Sequence, residues 1–279
     1  MKKIIYSLSG ILMLSIVLTA CQKMERPALG DYPKDINEPG GPLKFYAAFD
    51  GTGENASRNA VDSIRANFPS DNPLASIDGV SGKAVQGEKY KYIKYSTAND
   101  FAATAGSFTI SFWQKRGLMR TEHIFSLPAP SYGGNLTSMF LLEEGSVATP
   151  LVKLYVKDAV GDKWFEWTGA NAVTGLYDDQ WHHIALVYDG STSKTTLYKD
   201  GTAHPFVSEW AGHGDVKLEQ SKITGLKIGA GPQEFTQAQV SAEAEDWLKN
   251  SWTGGIDQFR LYSIALSQQE VNALYVGKK

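Results

Sequence analysis

The carboxylates and histidines are the residues best able to do chemistry in this sequence, so their spacing is considered first. A retaining glycosidase needs two carboxyl groups about 5 to 5.5 Å apart. Glu143 and Glu144 are adjacent, and adjacent side chains of a strand point to opposite faces. Glu243, Glu245 and Asp246 fall in a segment expected to be loop or helix. We interpret both sets as solvated surface.

The neighbouring pair His182 and His183 could suggest a metal site. On a strand, however, the two rings face opposite ways and cannot share one ion. The sequence also contains no Gly-x-Ser-x-Gly nucleophile motif and no phosphate-binding loop. These observations predict a protein without a catalytic site.

Aromatic side chains offer a different chemistry, because the C–H faces of sugar rings stack on indole and phenol rings. If Lys163 to Trp167 is a strand, Trp164 and Glu166 share one face and Trp167 lies on the other. We predict two pairs as ligand-binding residues, Trp164 with Glu166 and Trp210 with His213. Tyr132 and Trp247 are further candidates in polar surroundings. For each, the alternative is an aromatic ring that packs beneath a loop.

The only cysteine follows a basic start, Met1 to Lys3, and an apolar run over residues 4–20. This pattern is typical of a signal peptide. The run ends in Leu-Thr-Ala-Cys, which resembles the lipobox of bacterial lipoproteins. We therefore predict a signal peptide over 1–20 and a lipid anchor on Cys21; the alternative is an ordinary leader with a chance cysteine.

Residues 21–42 are rich in proline and glycine and lack apolar periodicity, so they are predicted to be an extended tether. The folded domain is expected over 43–279. The formal net charge is -3, and no cluster of lysine or arginine is present, so nucleic acid is excluded as a partner.

Short β-type segments recur between turn signals after residue 43. Phe108 to Phe112 alternates and predicts a half-buried strand with Phe108, Ile110 and Phe112 on one face. Segments 183–188 and 195–198, with Asp200-Gly201 as a tight turn, predict a three-stranded meander. Ser267 and Glu270 have capping-box spacing and predict a short C-terminal helix. Weaker helical patterns occur at 60–68 and 241–249. The pattern as a whole predicts an all-β sandwich.

Seven segments, taken in order, resemble the laminin-G-like, concanavalin A-like jelly-roll domains: FYAAFDG (45–51), GVSGKAV (79–85), SFTISFW (107–113), WHHIALVYD (181–189), LYKDG (197–201), GGIDQFRLY (254–262) and ALSQQEV (265–271). The resemblance implies two facing antiparallel sheets. With the lipobox, the chain is similar to outer-membrane lipoproteins of the Bacteroides group that are associated with glycan uptake. The fold hosts lectins, hydrolases and adhesion modules, so it does not by itself give an activity.

The resemblance also carries expectations for particular residues. Hydrolases of this fold carry a Glu-x-Asp-x-x-Glu string, which is absent here. Many relatives hold a structural calcium ion, and the matching positions are Asp50 and Asp257, with carbonyls of 51–53 nearby. The alternative is that Asp50 shapes a turn and Asp257 accepts local hydrogen bonds. The tryptophans of the matching segments are interpreted as packing residues: Trp113, Trp181 and Trp252.

Together these observations predict a non-catalytic carbohydrate-binding protein anchored in the outer membrane, at the cell surface or the periplasmic face. Its expected partners are a glycan, the membrane through the lipid on Cys21, and an outer-membrane transporter complex. The alternatives are a structural or protein-interaction subunit of such a complex and a glycoside hydrolase with an unrecognised site.

Overall fold

The structure is a computed structural model that describes residues 40–50, 61, 70–117, 120–233 and 247–278. The expected signal peptide, Cys21, nearly all of the tether and all but Val61 of the helical pattern at 60–68 lie outside these residues. Within the described ranges, no helix has both the length and the apolar character needed to cross a membrane.

The described residues contain fourteen strands in two antiparallel sheets. The eight-stranded sheet consists of β1 (Leu43–Ala47), β2 (Ala75–Asp78), β3 (Lys83–Gln86), β5 (Phe108–Lys115), β10 (Trp181–Asp189), β11 (Lys194–Lys199), β12 (Thr202–Glu209) and β14 (Gly255–Tyr262). The six-stranded sheet consists of β4 (Ile93–Tyr95), β6 (Glu122–Pro128), β7 (Thr137–Gly145), β8 (Pro150–Lys157), β9 (Asp162–Trp167) and β13 (Leu226–Ile228).

The strand orders are β12-β11-β10-β5-β14-β3-β2 and β4-β13-β6-β7-β8-β9. In the larger sheet β1 pairs with the C-terminal half of β14, whereas β3 pairs with Gly255 and Ile256 at its start. The predicted meander is confirmed as β10-β11-β12, and both turn residues, Asp200 and Gly201, have positive φ angles of 51° and 74°. The predicted all-β sandwich of two antiparallel sheets is therefore confirmed.

Helices are few and short in the described residues. The α-helices are α1 (Phe101–Thr104) and α2 (Gln268–Gly277), and 3₁₀ turns occur at Pro130–Tyr132, Gly169–Asn171, Gln220–Lys222 and Trp247–Lys249. The predicted capping box at the start of α2 is confirmed, because Ser267 accepts from the amide of Glu270 while the Glu270 carboxylate accepts from the amide of Ser267.

Strand β5 shows how α2 changes the sandwich. Phe108, Ile110 and Phe112 lie in the core between the sheets, as predicted. The expectation of a half-buried strand is wrong, however, since the opposite face of β5 is buried too. Val271 of α2 packs with Ala185 and Val187 of the neighbouring strand β10, and Tyr275 stacks on Trp113 of β5 with the ring centroids 5.7 Å apart. The C-terminal helix thus covers part of the eight-stranded sheet.

The two histidines at the start of β10 have separate partners. His183 is buried and its Nε2 lies 2.9 Å from the hydroxyl of Ser111, and burial lowers the pKa of His183 to about 3. The imidazole of His182 lies 2.7 Å from Asp200 and 3.0 Å from Asp178. The hydrogen bond to Asp200, reinforced by Asp178, raises the pKa of His182 above 6.5.

This arrangement predicts a pH-dependent contribution to stability from His182. Because its folded-state pKa is raised, the stabilisation is complete below the ordinary value of 6.5 and is lost as the pH rises through the folded-state pKa. The His182→Gln substitution should therefore lower the free energy of unfolding in urea more at about pH 6 than at about pH 9. An equal loss at both pH values would contradict the assignment.

Candidate functional site

The outer face of the six-stranded sheet carries a cluster of aromatic rings. Phe140, Tyr155 and Trp164 are direct cross-strand neighbours on β7, β8 and β9. Their rings are 5.2 Å apart for Phe140 and Tyr155 and 5.0 Å apart for Tyr155 and Trp164. Trp247 lies over the same face, with its ring 6.1 Å from that of Trp164. We call Tyr155, Trp164 and Trp247, with Phe140 beneath them, the aromatic platform.

Only part of the aromatic platform reaches solvent. Phe140 and Tyr155 are buried, whereas Trp164 and Trp247 are half-buried. Trp247 is supported from below by His123, whose ring stacks on it at 5.9 Å and 17°. Burial lowers the pKa of His123 to about 3, so the imidazole is a neutral packing surface at physiological pH. The two tryptophans are thus held in place and present ring surface outward.

Charged side chains flank the aromatic platform on the same face. Lys153 of β8 is the cross-strand neighbour of Glu166, its ammonium 3.6 Å from that carboxylate, and it contacts Glu144 more closely. Burial by itself would lower the pKa of Lys153, but the opposite charges and hydrogen bonds of Glu144 and Glu166 outweigh this effect, so the pKa is raised. On the other side, Lys157 lies 3.8 Å from Asp162. The platform is therefore bordered by oriented hydrogen-bonding groups.

Tyr132 lies near this border. Its hydroxyl donates to Glu219 at 2.6 Å, and burial together with Glu219 raises the pKa of the phenol. The ammonium groups of Lys157 and Lys222 lie 5.2 and 4.5 Å from its ring centroid. Because Lys157 also contacts Asp162, Tyr132 is connected to the edge of the platform through one shared lysine.

The second predicted pair, Trp210 and His213, has a different environment. The two rings stack at 3.4 Å, and His213 Nε2 lies 2.9 Å from Asp158, which also accepts backbone N–H groups of the 158–161 turn. Trp210 packs against the core, with its ring 6.2 Å from that of Phe165. The structure therefore brings Trp164, Glu166 and Trp247 together and leaves Trp210 and His213 in a packed turn. Binding at the second pair stays a prediction.

The remaining tryptophans divide according to strand alternation. Trp167 points inward, opposite to Trp164, as the alternation predicts, and Trp113 and Trp252 are buried. Trp181 is only half-buried and lies against Gly255. Tyr155, which the sequence analysis did not select, completes the platform; the alternation of β8 was the signal that could have found it.

The expectation that Glu143 is solvated surface is wrong. Glu143 does face away from Glu144, but it is buried between the sheets. Burial raises the pKa of Glu143 to about 7, although the guanidinium of Arg116 lies 3.5 Å away and opposes the shift. The other acidic set, at 243–246, lies outside the described residues.

The two aspartates expected at a calcium site both contact the 79–83 turn. Asp50 accepts the amide of Lys83 at 2.7 Å, and Asp257 accepts the amide of Val80 at 2.8 Å. The other oxygen of Asp257, Oδ1, is buried and has no hydrogen-bond partner among the residues that the structure describes. Burial, and then the charge of Asp50, raises the pKa of Asp257 to about 7.

A hard cation would suit this arrangement, since calcium prefers oxygen ligands and would stabilise two carboxylates of like charge. Among the described residues, no three acidic, histidine or cysteine side chains are arranged so that they could hold a metal ion, so backbone carbonyls would have to complete such a site. The expected carbonyls of 51–53 lie outside the described residues. If a calcium ion binds at this turn, Asp50 and Asp257 would be its carboxylate ligands and its role would be structural.

If calcium binds there, its removal should destabilise the fold. EDTA is expected to lower the melting temperature of the wild-type protein and to leave that of Asp257→Asn unchanged, because the variant lacks one ligand charge. Added calcium should restore the wild-type value. Equal responses of the two proteins to EDTA and calcium would contradict the assignment.

Comparison with known proteins agrees with the observed fold. Residues 87–209 match the Laminin_G_3 family model, described as the concanavalin A-like lectin/glucanases superfamily. No curated protein sequence matches the chain.

Solved structures with the same fold share little sequence with this chain. Domain 4 of an extracellular GH43 arabinanase from Geobacillus stearothermophilus, solved in complex with arabinotriose, is 16% identical at a TM-score of 0.51, with 84% of this chain and 98% of that domain covered. The binding domain of botulinum neurotoxin serotype D is 13% identical at a TM-score of 0.57, and the match covers 85% of this chain and 51% of that one. The chain is thus a sandwich of two antiparallel sheets whose central part, residues 87–209, is similar to the Laminin_G_3 family model.

Proposed function

We propose that this protein binds carbohydrate, without catalysis, on the aromatic platform. The observation that carries the proposal is the pair Trp164 and Trp247, half-buried and 6.1 Å apart on an outer sheet face. Among the described residues most aromatic rings are buried, whereas these two belong to the smaller set of half-buried rings that keep free surface. A sugar ring can stack on such surface through its C–H groups.

A sugar site also needs hydrogen-bonding groups beside the stacking rings, and the charged side chains around the platform supply them. Glu166 and Lys153 form an ion pair beside the rings, so their acceptor and donor atoms are held in fixed directions. Sugar hydroxyl groups can donate to the carboxylate and accept from the ammonium. Rings and charges that are fixed before binding lose little conformational freedom when the ligand arrives, which favours affinity.

The comparison supports carbohydrate as the ligand class. The arabinanase domain with the same fold was solved with arabinotriose, and arabino-oligosaccharides are therefore a sensible first panel. Sequence identity of 16% is too low to transfer the sugar itself, so mannan, xylan and glucan fragments belong in the same panel.

A second candidate function is glycoside hydrolysis, because Glu144 and Glu166 both contact Lys153 and so lie close together beside the platform. We favour binding, since the ammonium of Lys153 fills the gap in which a scissile bond would have to lie. Incubation with the same polysaccharides should release no reducing sugar. Release that is abolished by Glu144→Gln or Glu166→Gln would favour the hydrolase.

The binding proposal is tested by removing one ring at a time. Trp164→Ala and Trp247→Ala should each weaken binding of a glycan selected on the panel by roughly 1 to 3 kcal/mol, the scale of a lost aromatic contact. Affinity is measured by calorimetry and stability by thermal unfolding.

Trp210→Ala is the matched comparison, because it removes an indole that packs in a turn. We expect it to lower stability and to leave affinity unchanged. Loss of binding only in Trp210→Ala would transfer the site to the Trp210 and His213 pair, and unchanged binding in all three variants would refute the platform.

The proposal includes attachment to the outer membrane through a lipid on Cys21. A tether rich in proline would hold the binding domain away from the bilayer. The Cys21→Ser substitution should abolish labelling by a fatty-acid analogue and partitioning into a detergent phase. Labelling that persists in the variant would refute the anchor.

A further inference from the structure

A second concave surface lies on the outer face of the eight-stranded sheet, whereas the aromatic platform lies on the outer face of the other sheet. It is a groove of about 670 Å³. We call it the sheet groove and define it by six of its lining residues: Gln86, Lys115, Asp179, Thr253, Gly254 and Gly255. None of them belongs to the platform.

The floor of the sheet groove is formed by paired residues on three strands, and Trp181 continues the same row on a fourth strand at the margin of the groove. Trp181 is the neighbour of Lys115, Lys115 of Gly255, and Gly255 of Gln86. A Cβ atom on Gly255 would lie 2.7 Å from Cη2 of Trp181, so only glycine lets the indole lie against this strand. The half-buried ring of Trp181 is not itself a lining residue, but it lies against Gly255, so it stands at the margin of the groove.

The polar groups of the sheet groove are available to a ligand. Among the described residues, neither the ammonium of Lys115 nor the carboxylate of Asp179 has a hydrogen bond or an ion pair. Gln86 uses its amide N–H₂ group to donate to the carbonyl of Thr253 at 2.6 Å, which directs the side chain along the groove wall. A cation, an anion and an amide thus line one groove.

A buried ionic cluster fixes this wall from behind. Glu122 accepts both the amide and the hydroxyl of Thr253, at 2.9 and 2.8 Å, and lies 3.5 Å from Arg116. The carbonyl of Arg116 in turn accepts the amide of Asp179 at 2.9 Å. Its guanidinium lies 4.7 Å from the ring centroids of both Tyr177 and Trp252. The backbone of the groove is therefore held rigidly before any ligand binds.

We infer that the sheet groove is a second saccharide-binding site, with Trp181 as its stacking surface and Lys115, Asp179 and Gln86 as its hydrogen-bonding groups. Neighbouring hydroxyls of a sugar both donate and accept, which matches a mixed set of groups. An apolar ligand would desolvate Lys115 and Asp179 without compensation, and a simple anion would be repelled by Asp179. Because the two sites lie on opposite faces, one molecule could hold two glycan chains at once.

The inference is tested on the full chain in detergent by following the indole N–H signals of its tryptophans in NMR spectra, assigned with Trp→Phe variants. The probes are arabinohexaose, xylohexaose, cellohexaose and mannohexaose at millimolar concentration. At least one should shift the Trp181 signal. The double variant Lys115→Met with Asp179→Asn should weaken that titration about tenfold, the scale expected for lost hydrogen bonds to charged groups; asparagine suits the positive φ of 62° at this position.

The matched control is Lys194→Met with Glu209→Gln, a pair of exposed charges on β11 and β12, which should leave the titration unchanged. Trp164→Ala should leave it unchanged as well, because the sites are separate. A Trp181 signal that no probe moves, or a titration that the groove variant does not weaken, would overturn the inference. Movement of Trp181 without Trp164 and Trp247 would support the groove and count against the platform, so the two proposals fail separately.

Discussion

The ring of Phe259 on β14 is the contact on which the rest of the sandwich depends. It meets Phe45 of β1 at 6.1 Å and Phe112 of β5 at 6.2 Å within its own sheet, and Phe125 of β6 in the opposite sheet at 5.3 Å. Three neighbouring strands and the facing sheet are therefore registered against one side chain. Once these rings face inward, strand alternation decides which residues face outward.

A β-bulge in β14 allows Phe259 to face the core while Asp257 of the same strand faces outward. The register shifts between Asp257 and Arg260, and Gln258 takes a positive φ of 49°. The extra residue allows Ile256 and Phe259 to point into the core while Asp257 remains beside the 79–83 turn. A bulge commonly re-aims a side chain in this way, and here it directs the carboxylate of Asp257 to the amide of Val80.

The outer face of each sheet is only partly covered by other segments. The uncovered parts are the two candidate binding surfaces, the sheet groove and the aromatic platform. Helix α2 packs over Ala185 and Val187 of the larger sheet but not over its Lys115 end, where the sheet groove opens. On the smaller sheet, Trp247 and Leu248 pack over Phe140 and Leu142. Between the sheets, Arg116 brings Glu122 and Glu143 together at 3.5 Å each. Such buried ion pairs contribute little net stability, and their value here lies in fixing the backbone at the groove.

The sequence by itself determined the elements whose signals are local. Alternation predicted the faces of β5 and β9, the Asp200-Gly201 turn predicted its hairpin, and Ser267 with Glu270 predicted the helix start. The ordered segments extended this to the fold, and polar surroundings selected Trp164, Glu166 and Trp247.

Only the tertiary structure decided which of the selected aromatics meet. Trp164 and Trp247 are 83 positions apart in the numbering, yet they share one face because β9 and the 247–249 turn lie over the same sheet. The burial of Glu143 and the half-exposure of Trp181 likewise depend on which segments pack over each sheet face. Those segments are distant in the sequence, so no local pattern encodes this packing.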